Sequence, residues 1–201
     1  MNIAVTGATG NMGRAVLTAA KDHPELTVAL AINRSPQTDR VAGVRVRPAQ
    51  ELASLLQKYH PDVLIDFTGP ESTVNYAALA GENGVAFVSG TTGLTADQEE
   101  ELRSVSDDVP VLMSPNFSPG IQVLLAAVRK ATEMLPGYDI EILETHHNRK
   151  RDAPSGTANR IREQMESVRG EVPIVYGRDG EQPREQGEIG VFARRAGSIR
   201  G

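Results

Sequence analysis

The chain has no cysteine and no tryptophan, and only 4% of its 201 residues are aromatic. Without Cys there can be no disulfide, no thiolate nucleophile and no Cys-ligated metal, and no metal site is expected. Few aromatics leave little surface for stacking bases or sugars. No apolar run approaches the roughly 18–20 residues a membrane-spanning helix needs, so no membrane partner is expected. Positive charge is also in deficit: Lys+Arg 21 against Asp+Glu 26 gives a net charge of -5. That balance argues against a general nucleic-acid binder, which needs a basic face to neutralise phosphates. Repeats of solenoid type are absent. Residues 2–5 already read as a strand, so no leader is expected ahead of the fold and the expected location is cytoplasmic. What is present, 39% hydrophobic and 23% charged residues, is the composition of an ordinary globular protein. The length suits one large domain or two small ones.

The charge is unevenly distributed. Residues 1–143 carry 10 Lys/Arg against 17 Asp/Glu, whereas residues 144–201 carry 11 against 9. A basic late segment on an acidic chain suits an anionic ligand, although a solvated charged face has the same count.

Short apolar runs alternate with helix-length stretches through residue 113. The runs cover 2–5, 26–32, 63–67, 86–89 and 111–113. They lack strict period-2 alternation, as strands covered on both faces should. Helices are predicted over 12–21, 49–59 and 72–83, with Ser72 as the cap of the last. Another is predicted over 96–105, opened by a Thr95/Gln98 capping box. This alternation predicts an α/β fold with a doubly wound parallel sheet of Rossmann type. After Ser118-Pro119-Gly120 the pattern changes to an apolar helix over 121–135 and an alternating strand over 138–144. In that strand Tyr138, Ile140 and Ile142 are assigned to one face, and Asp139, Glu141 and Glu144 to the other. The expected division is a dinucleotide-binding domain, 1–117, and a second α+β domain, 118–201.

Gly7-Ala8-Thr9-Gly10-Asn11-Met12-Gly13 sits between the first strand and the first helix. Gly7 permits a tight turn, Gly10 a close approach of backbone to a pyrophosphate, and Gly13 close helix–strand packing. The free N–H groups of the helix start would face the phosphates. The acidic residue expected about 20 positions on, to bind a ribose 2′-OH, is missing: Asn33 stands there, followed by Arg34. Asn33 would not repel a 2′-phosphate and Arg34 could pair with one, so NADPH should be accepted at least as well as NADH. Arg34 as a plain solvated turn residue is the alternative. Gly90-Thr91-Thr92-Gly93 and Ser114-Pro115-Asn116-Phe117 follow later strands at the edge where such sheets place ligands. Asn116 either orients the nicotinamide carboxamide or only caps the next turn.

The densest chemistry lies in Glu144-Thr145-His146-His147-Asn148-Arg149-Lys150-Arg151-Asp152-Ala153-Pro154-Ser155-Gly156-Thr157. A helix is predicted over 157–168. The amides of Gly156 and Thr157, with the Ser155 and Thr157 hydroxyls, would bind an anion at its start. Lys150 and a nearby His would add charge, which suits a carboxylate-bearing substrate. Adjacent His residues on a strand point to opposite faces and are poor joint metal ligands.

Together GATGNMGR, SGTTG, NFSPG and ETHHNRKRDAPSGTA, in that order, resemble the 4-hydroxy-tetrahydrodipicolinate reductase (dihydrodipicolinate reductase) family across essentially the whole chain. The resemblance implies a cytoplasmic, usually tetrameric reductase that transfers hydride from NADPH or NADH to a cyclic dicarboxylic imine-type substrate of lysine biosynthesis. It implies that residues 7–12 line the pyrophosphate and that Asn33 and Arg34 meet the adenosine ribose. Gly90, Thr91 and Thr92, then Ser114, Pro115, Asn116 and Phe117, would meet the nicotinamide half. His146 would match the proposed proton donor/acceptor, Lys150 a second proton donor, and His147, Gly156 and Thr157 substrate contacts. Two departures stand out. Asn33 replaces the acid of NADH-using members. The chain also ends near Arg194-Arg195-Ala196-Gly197, where the family continues into a Gly-Glu-His segment and a further helix, so the second domain is expected to be incomplete.

Two other functions share parts of this pattern. A dinucleotide-binding regulatory protein needs the glycine turn but has no use for His146, His147 and Lys150. A Rossmann dehydrogenase for another amino or imino dicarboxylate would use both.

Overall fold

The computed structural model describes residues 1–35, 38–199 and 201, in two compact units, Met1–Pro115 and Asn116–Gly201.

In the first unit the chain runs β1 (Asn2–Thr6), α1 (Asn11–Lys21), β2 (Thr27–Asn33), β3 (Arg40–Val41), β4 (Val44–Pro48), a 3-10 turn (Ala49–Glu51) and α2 (Leu52–Tyr59). It continues through β5 (Val63–Asp66), α3 (Pro70–Glu82), β6 (Ala86–Ser89), α4 (Ala96–Val105) and β7 (Val111–Met113). The seven strands form one sheet in the order β3-β4-β2-β1-β5-β6-β7, parallel except for the β3–β4 pair. The order reverses between β1 and β5, which is the switch point where doubly wound sheets open a crevice at their carboxyl ends.

The missing period-2 signal has a direct cause. Ile3, Val5 and Ala31 pack into one apolar cluster with Leu17 and Ala20 of α1. Ala4, Leu30 and Ile32 face the other way, against Leu52, Leu55 and Leu56 of α2, Ala77 and Ala80 of α3, and Leu102 of α4. Neighbouring strand residues point to opposite faces, and both faces are buried. Helix α4 starts at the expected capping box: Thr95 Oγ1 accepts from the Gln98 amide and Gln98 Oε1 from the Thr95 amide.

Two expectations need correction. Helix α3 is capped by extended Gly69 and starts at Pro70, not at Ser72. Proline is well suited to the first helical position, where its missing N–H would have had no partner. The stretch 34–48, to which the sequence pattern assigned no element, holds the β3–β4 hairpin, turned by Ala42 and Gly43, both at positive φ. Its signal was the alternation Val44-Arg45-Val46-Arg47, in which Val46 is buried and Arg45 exposed.

At the carboxyl edge of the sheet, Asp66 is fully buried and surrounded by hydroxyls. Its Oδ1 accepts from Thr6 Oγ1 at 2.6 Å and Thr68 Oγ1 at 2.7 Å. Its Oδ2 accepts from Thr73 Oγ1 at 2.6 Å, Thr91 Oγ1 at 3.0 Å and Ser89 Oγ at 3.3 Å. A buried carboxylate needs such partners to be tolerated at all.

The second unit comprises α5 (Pro119–Met134), β8 (Ile140–His146), α6 (Gly156–Arg169), β9 (Ile174–Tyr176) and β10 (Ile189–Arg195). The strands form a parallel sheet in the order β8-β10-β9. Ile142, Ile189 and Val191 pack against Ala158, Ile161 and Met165 of α6. On the opposite face Leu143 is exposed, beside half-buried Phe192. Glu144 lies in phase with Ile140 and Ile142, so its assignment to the opposite face is corrected: residues two apart on a strand share a face. Strands β9 and β10 were also not predicted. Their link is held by buried Glu188, whose carboxylate takes Arg178 and Arg184, both of which also pair with Glu141.

Replacing Asp66 with Asn keeps the shape but puts an NH2 among hydroxyl donors. The substitution should lower the unfolding free energy by about 2 kcal/mol or more, read from urea denaturation of the full chain.

Candidate functional site

In the first unit the glycine turn is built as the sequence implied. Gly7 has φ +68, and a Cβ there would lie 2.5 Å from the Phe67 carbonyl oxygen; a Cβ on Gly13 would lie 2.2 Å from that of Gly7. The turn is closed by Gly10 N–H donating to Gly7 O at 2.9 Å. Helix α1 begins with no side-chain cap and no acid in its first turn, which leaves its amides and positive dipole end available to an anion. Beside it is a cavity of about 370 Å³ lined by Gly7, Thr9, Gly10, Asn33, Arg34, Phe67, Thr68, Gly69, Ser72 and Tyr76. Among the described residues no carboxylate occurs in this lining, and Arg34 is its one charged residue. The closely packed glycine cradle, an uncapped helix start and a cation at the far end fit a pyridine dinucleotide.

The other predicted contacts of this unit are placed differently. The Ala8 side chain is fully buried in the core beside α1, so only its backbone can meet a ligand. Asn11 and Met12 are exposed. Gly90 packs on the Phe67 ring, where a Cβ would meet Cε1 at 2.0 Å, and the Thr91 hydroxyl is turned onto Asp66 and Thr73. Thr92 is exposed, and Ser114 and Pro115 line a separate cavity with Met113 and Leu102. The sequence reading missed Phe67, Thr68, Gly69, Ser72 and Tyr76. Their signal was the strand-to-helix junction Asp66-Phe67-Thr68-Gly69-Pro70, at the same sheet edge as the glycine turn. Burial pushes the Tyr76 phenol up, against the hydrogen bond from Ser72.

The second unit collects the His-rich segment around Glu144. Its Oε1 accepts from the Ser155 amide at 2.9 Å and Arg195 Nη2 at 2.8 Å; its Oε2 accepts from Arg195 Nη1 at 2.8 Å and lies 2.7 Å from His146 Nδ1. Arg195 is brought there by register, since it pairs with His146 across β10 and β8. Its Nη2 also donates to the Asp152 carbonyl at 2.7 Å, and Lys150 Nζ holds both Asp152 carboxylate oxygens at 2.8 Å. Burial disfavours the Glu144 anion, but the hydrogen bonds from Arg195, His146 and the Ser155 amide outweigh it and bring its pKa from 4.5 to about 2. Lys150 likewise holds the Asp152 carboxyl below its usual range.

A cavity of about 390 Å³ brings Asn116, Glu144, His146, Ser155 and Thr157 together. His147, Lys150 and Gly156 lie outside its lining. His147 Nδ1 is buried without a hydrogen-bond partner among the described residues. Ser155 is engaged as the cap of α6, its Oγ accepting from the Ala158 amide. Asn116 Oδ1 accepts from the Ser118 amide at 2.8 Å, the capping alternative, while its Nδ2 reaches Thr157 Oγ1 at 3.3 Å. Phe117 is exposed. Glu144, Asp152 and Arg195 were quoted in the sequence without a role; the strand β10 that delivers Arg195 had not been recognised. Among the described residues no cluster has metal-ligating composition.

A sheet of Rossmann order, a glycine cradle and a separate cationic site in a helix-and-sheet unit define a dinucleotide-dependent oxidoreductase. Residues 1–117 match the family model for the dihydrodipicolinate reductase N-terminus, and 120–201 that for its C-terminus. The 4-hydroxy-tetrahydrodipicolinate reductase of Haloarcula marismortui is 47% identical over 199 residues, 99% of this chain and 78% of the relative. That of Natronomonas pharaonis is 43% identical, over 100% of this chain and 80% of the relative. A solved dipicolinate-bound dihydrodipicolinate reductase from Paenisporosarcina superposes with a TM-score of 0.74 at 26% identity, over 98% of this chain and 79% of that one. The chain belongs to the dihydrodipicolinate reductase family.

Because the Glu144 pKa is depressed on folding, its clamp contributes fully above pH 4.5 and fades as pH falls toward 2. The stability gap between the wild type and Glu144→Gln should therefore narrow across that window, as followed by urea titrations at a series of pH values.

Proposed function

We propose that the chain catalyses the NAD(P)H-dependent reduction of 4-hydroxy-tetrahydrodipicolinate to tetrahydrodipicolinate, in the diaminopimelate route to lysine. The carrying observation is that His146 stands on the wall of a cavity closed by the first turn of α6, with its ring tied to an ionised carboxylate. A regulatory protein that only senses dinucleotide has no need of such a group.

The first unit serves as the dinucleotide-binding domain and the second as the substrate and oligomerisation domain. Gly7, Thr9, Gly10 and the amides at the start of α1 hold the pyrophosphate, with Ala8, Asn11 and Met12 contributing backbone. Asn33 and Arg34 hold the adenosine ribose, and Arg34 favours a 2′-phosphate. Gly90, Thr91 and Thr92, with Ser114, Pro115, Asn116 and Phe117, form the wall for the nicotinamide half. When bound, the reduced nicotinamide supplies a hydride.

Carboxylates of the substrate are held by the Gly156 and Thr157 amides, the Thr157 hydroxyl and His147, whose buried Nδ1 has no hydrogen-bond partner among the described residues. The 4-hydroxyl leaves as water to give a conjugated ring, and hydride addition to that ring leaves negative charge on a neighbouring carbon, which a positioned acid must quench. His146, on the cavity wall, and Lys150, on the loop that follows β8, are the proposed proton donors. The Lys150 ammonium, paired with Asp152 in this structure, exchanges that carboxylate for the substrate's. The face of the β8-β10-β9 sheet away from α6, with Leu143 exposed, supports a homotetramer, and a biosynthetic role supports a cytoplasmic enzyme.

NADPH oxidation should be seen when substrate is generated in situ from pyruvate and aspartate semialdehyde; no oxidation would remove this reading. Lys150→Ala should lower kcat by roughly 100-fold while NADPH binding, followed by fluorescence, persists. Arg34→Ala should weaken NADPH binding about tenfold and NADH binding little, since a charged hydrogen bond to phosphate is lost. An NADH preference unchanged by that substitution would refute the assignment of Arg34.

A further inference from the structure

The surroundings of Glu144 leave no freedom in how its lone pairs are used. Two carboxylate oxygens offer about four acceptor positions, and four donors fill them. Oε1 takes the Ser155 amide and Arg195 Nη2; Oε2 takes Arg195 Nη1 and the Nδ1 edge of His146. The fork of Arg195 is itself anchored to the carbonyls of Asp152 and Arg194. Glu144 has 9% of its side chain exposed, so water does not compete for these positions. An ionised carboxylate only accepts, and therefore the nitrogen facing it must carry a proton.

We propose that Glu144, held by Arg195 and the Ser155 amide, is a positioning residue that keeps a proton on His146 Nδ1 and makes Nε2 the atom that exchanges protons with substrate. The proposal rests on the reading of His146 as the proton-transferring group. The balance is simple. An imidazolium releases the proton on Nε2 to the substrate carbon and becomes the neutral Nδ1–H form, still donating to Glu144. Nothing moves on the carboxylate, which remains an anion throughout. Among the described residues the other charged side chains attached to this network are Lys150 and Asp152, through the Asp152 carbonyl on Arg195, and Gly201 lies against the Cδ2–Nε2 edge of the ring. Neither side chain contacts the Nδ1 edge. Without the carboxylate an imidazole in water would mostly place its proton on Nε2, where it cannot accept one, and the ring would be free to turn about χ2.

The same geometry says what Gln would do at this position. If its NH2 replaced Oε1 it would confront two donors, the Ser155 amide and Arg195 Nη2. Placed at Oε2 it confronts one fixed donor, Arg195 Nη1, rather than two, and faces His146 Nδ1, which can adapt by losing its proton. Glu144→Gln should thus invert the tautomer.

The imidazole-15N-labelled 201-residue chain holds four His residues, and His146 is assigned by its loss in His146→Gln. About two units above the usual His pKa, the wild type should show protonated Nδ1 and unprotonated Nε2. In Glu144→Gln the pattern should reverse, with kcat lowered at least about tenfold and the cofactor KM within twofold. A wild-type ring with its proton on Nε2 overturns the proposal, and that measurement needs no variant to fold. A folded Glu144→Gln with an unchanged tautomer or an unchanged kcat also overturns it. If the wild type shows the Nδ1–H form but His146→Gln turns over at full rate, the failure lies with His146 as the proton group, and the tautomer assignment stands.

Discussion

Everything at the ligand-facing edge of the first unit is referred to one buried anion. Asp66 ends strand β5, next to the central β1, and the hydroxyls that solvate it come from the ends of β1 and β6, the loop after β5, the start of α3 and the loop after β6. Each hydroxyl holds its own segment at hydrogen-bond distance from a single point. The glycine turn leaves the sheet one residue after Thr6, and the 90–93 loop begins one residue after Ser89. A carboxylate buried this deeply has no tolerance for a missing partner, so the three loops that border the crevice cannot drift independently.

A second buried carboxylate organises the other unit by different chemistry. Glu144 is satisfied by a guanidinium fork, an imidazole and a backbone amide rather than by neutral hydroxyls. The result is a network with charge to deploy: it draws together the end of β8, the end of β10, the start of α6 and, through Asp152, the Lys150 loop. In one unit a carboxylate fixes the spacing of three loops at the sheet edge; in the other a carboxylate fixes the orientation of the His146 ring, the proton-transferring group proposed above. The family assignment joins these two devices in one reductase.

Much of this was legible beforehand, for reasons that can be stated. The β1–α1 turn was readable because three glycines at that spacing serve a steric purpose no other residue can serve. The capping box at Thr95 was readable because both of its bonds are local. Strands β1, β2, β5, β6 and β7 announced themselves as short apolar runs. By contrast β9 and β10 are held by Glu188, Arg178 and Arg184, contacts between residues far from one another or from Glu141 in sequence, and composition there resembles a polar loop. Glu144 was misassigned to the opposite face because its charge outweighed its phase, although a residue two beyond Ile142 must share its face. The hydroxyl shell of Asp66 draws on positions 6, 68, 73, 89 and 91, which only the parallel sheet brings together.

The tight packing of the glycine turn bears on the thermodynamics of association. With Gly7 locked against the Phe67 carbonyl and Gly13 against that of Gly7, the backbone of this turn is already ordered before any phosphate arrives. Ordering a loose segment would consume about 1–2 kcal/mol for every residue immobilised. A rigid cradle forfeits almost none of this on contact, so more of the attraction between amide dipoles and phosphate remains as net affinity.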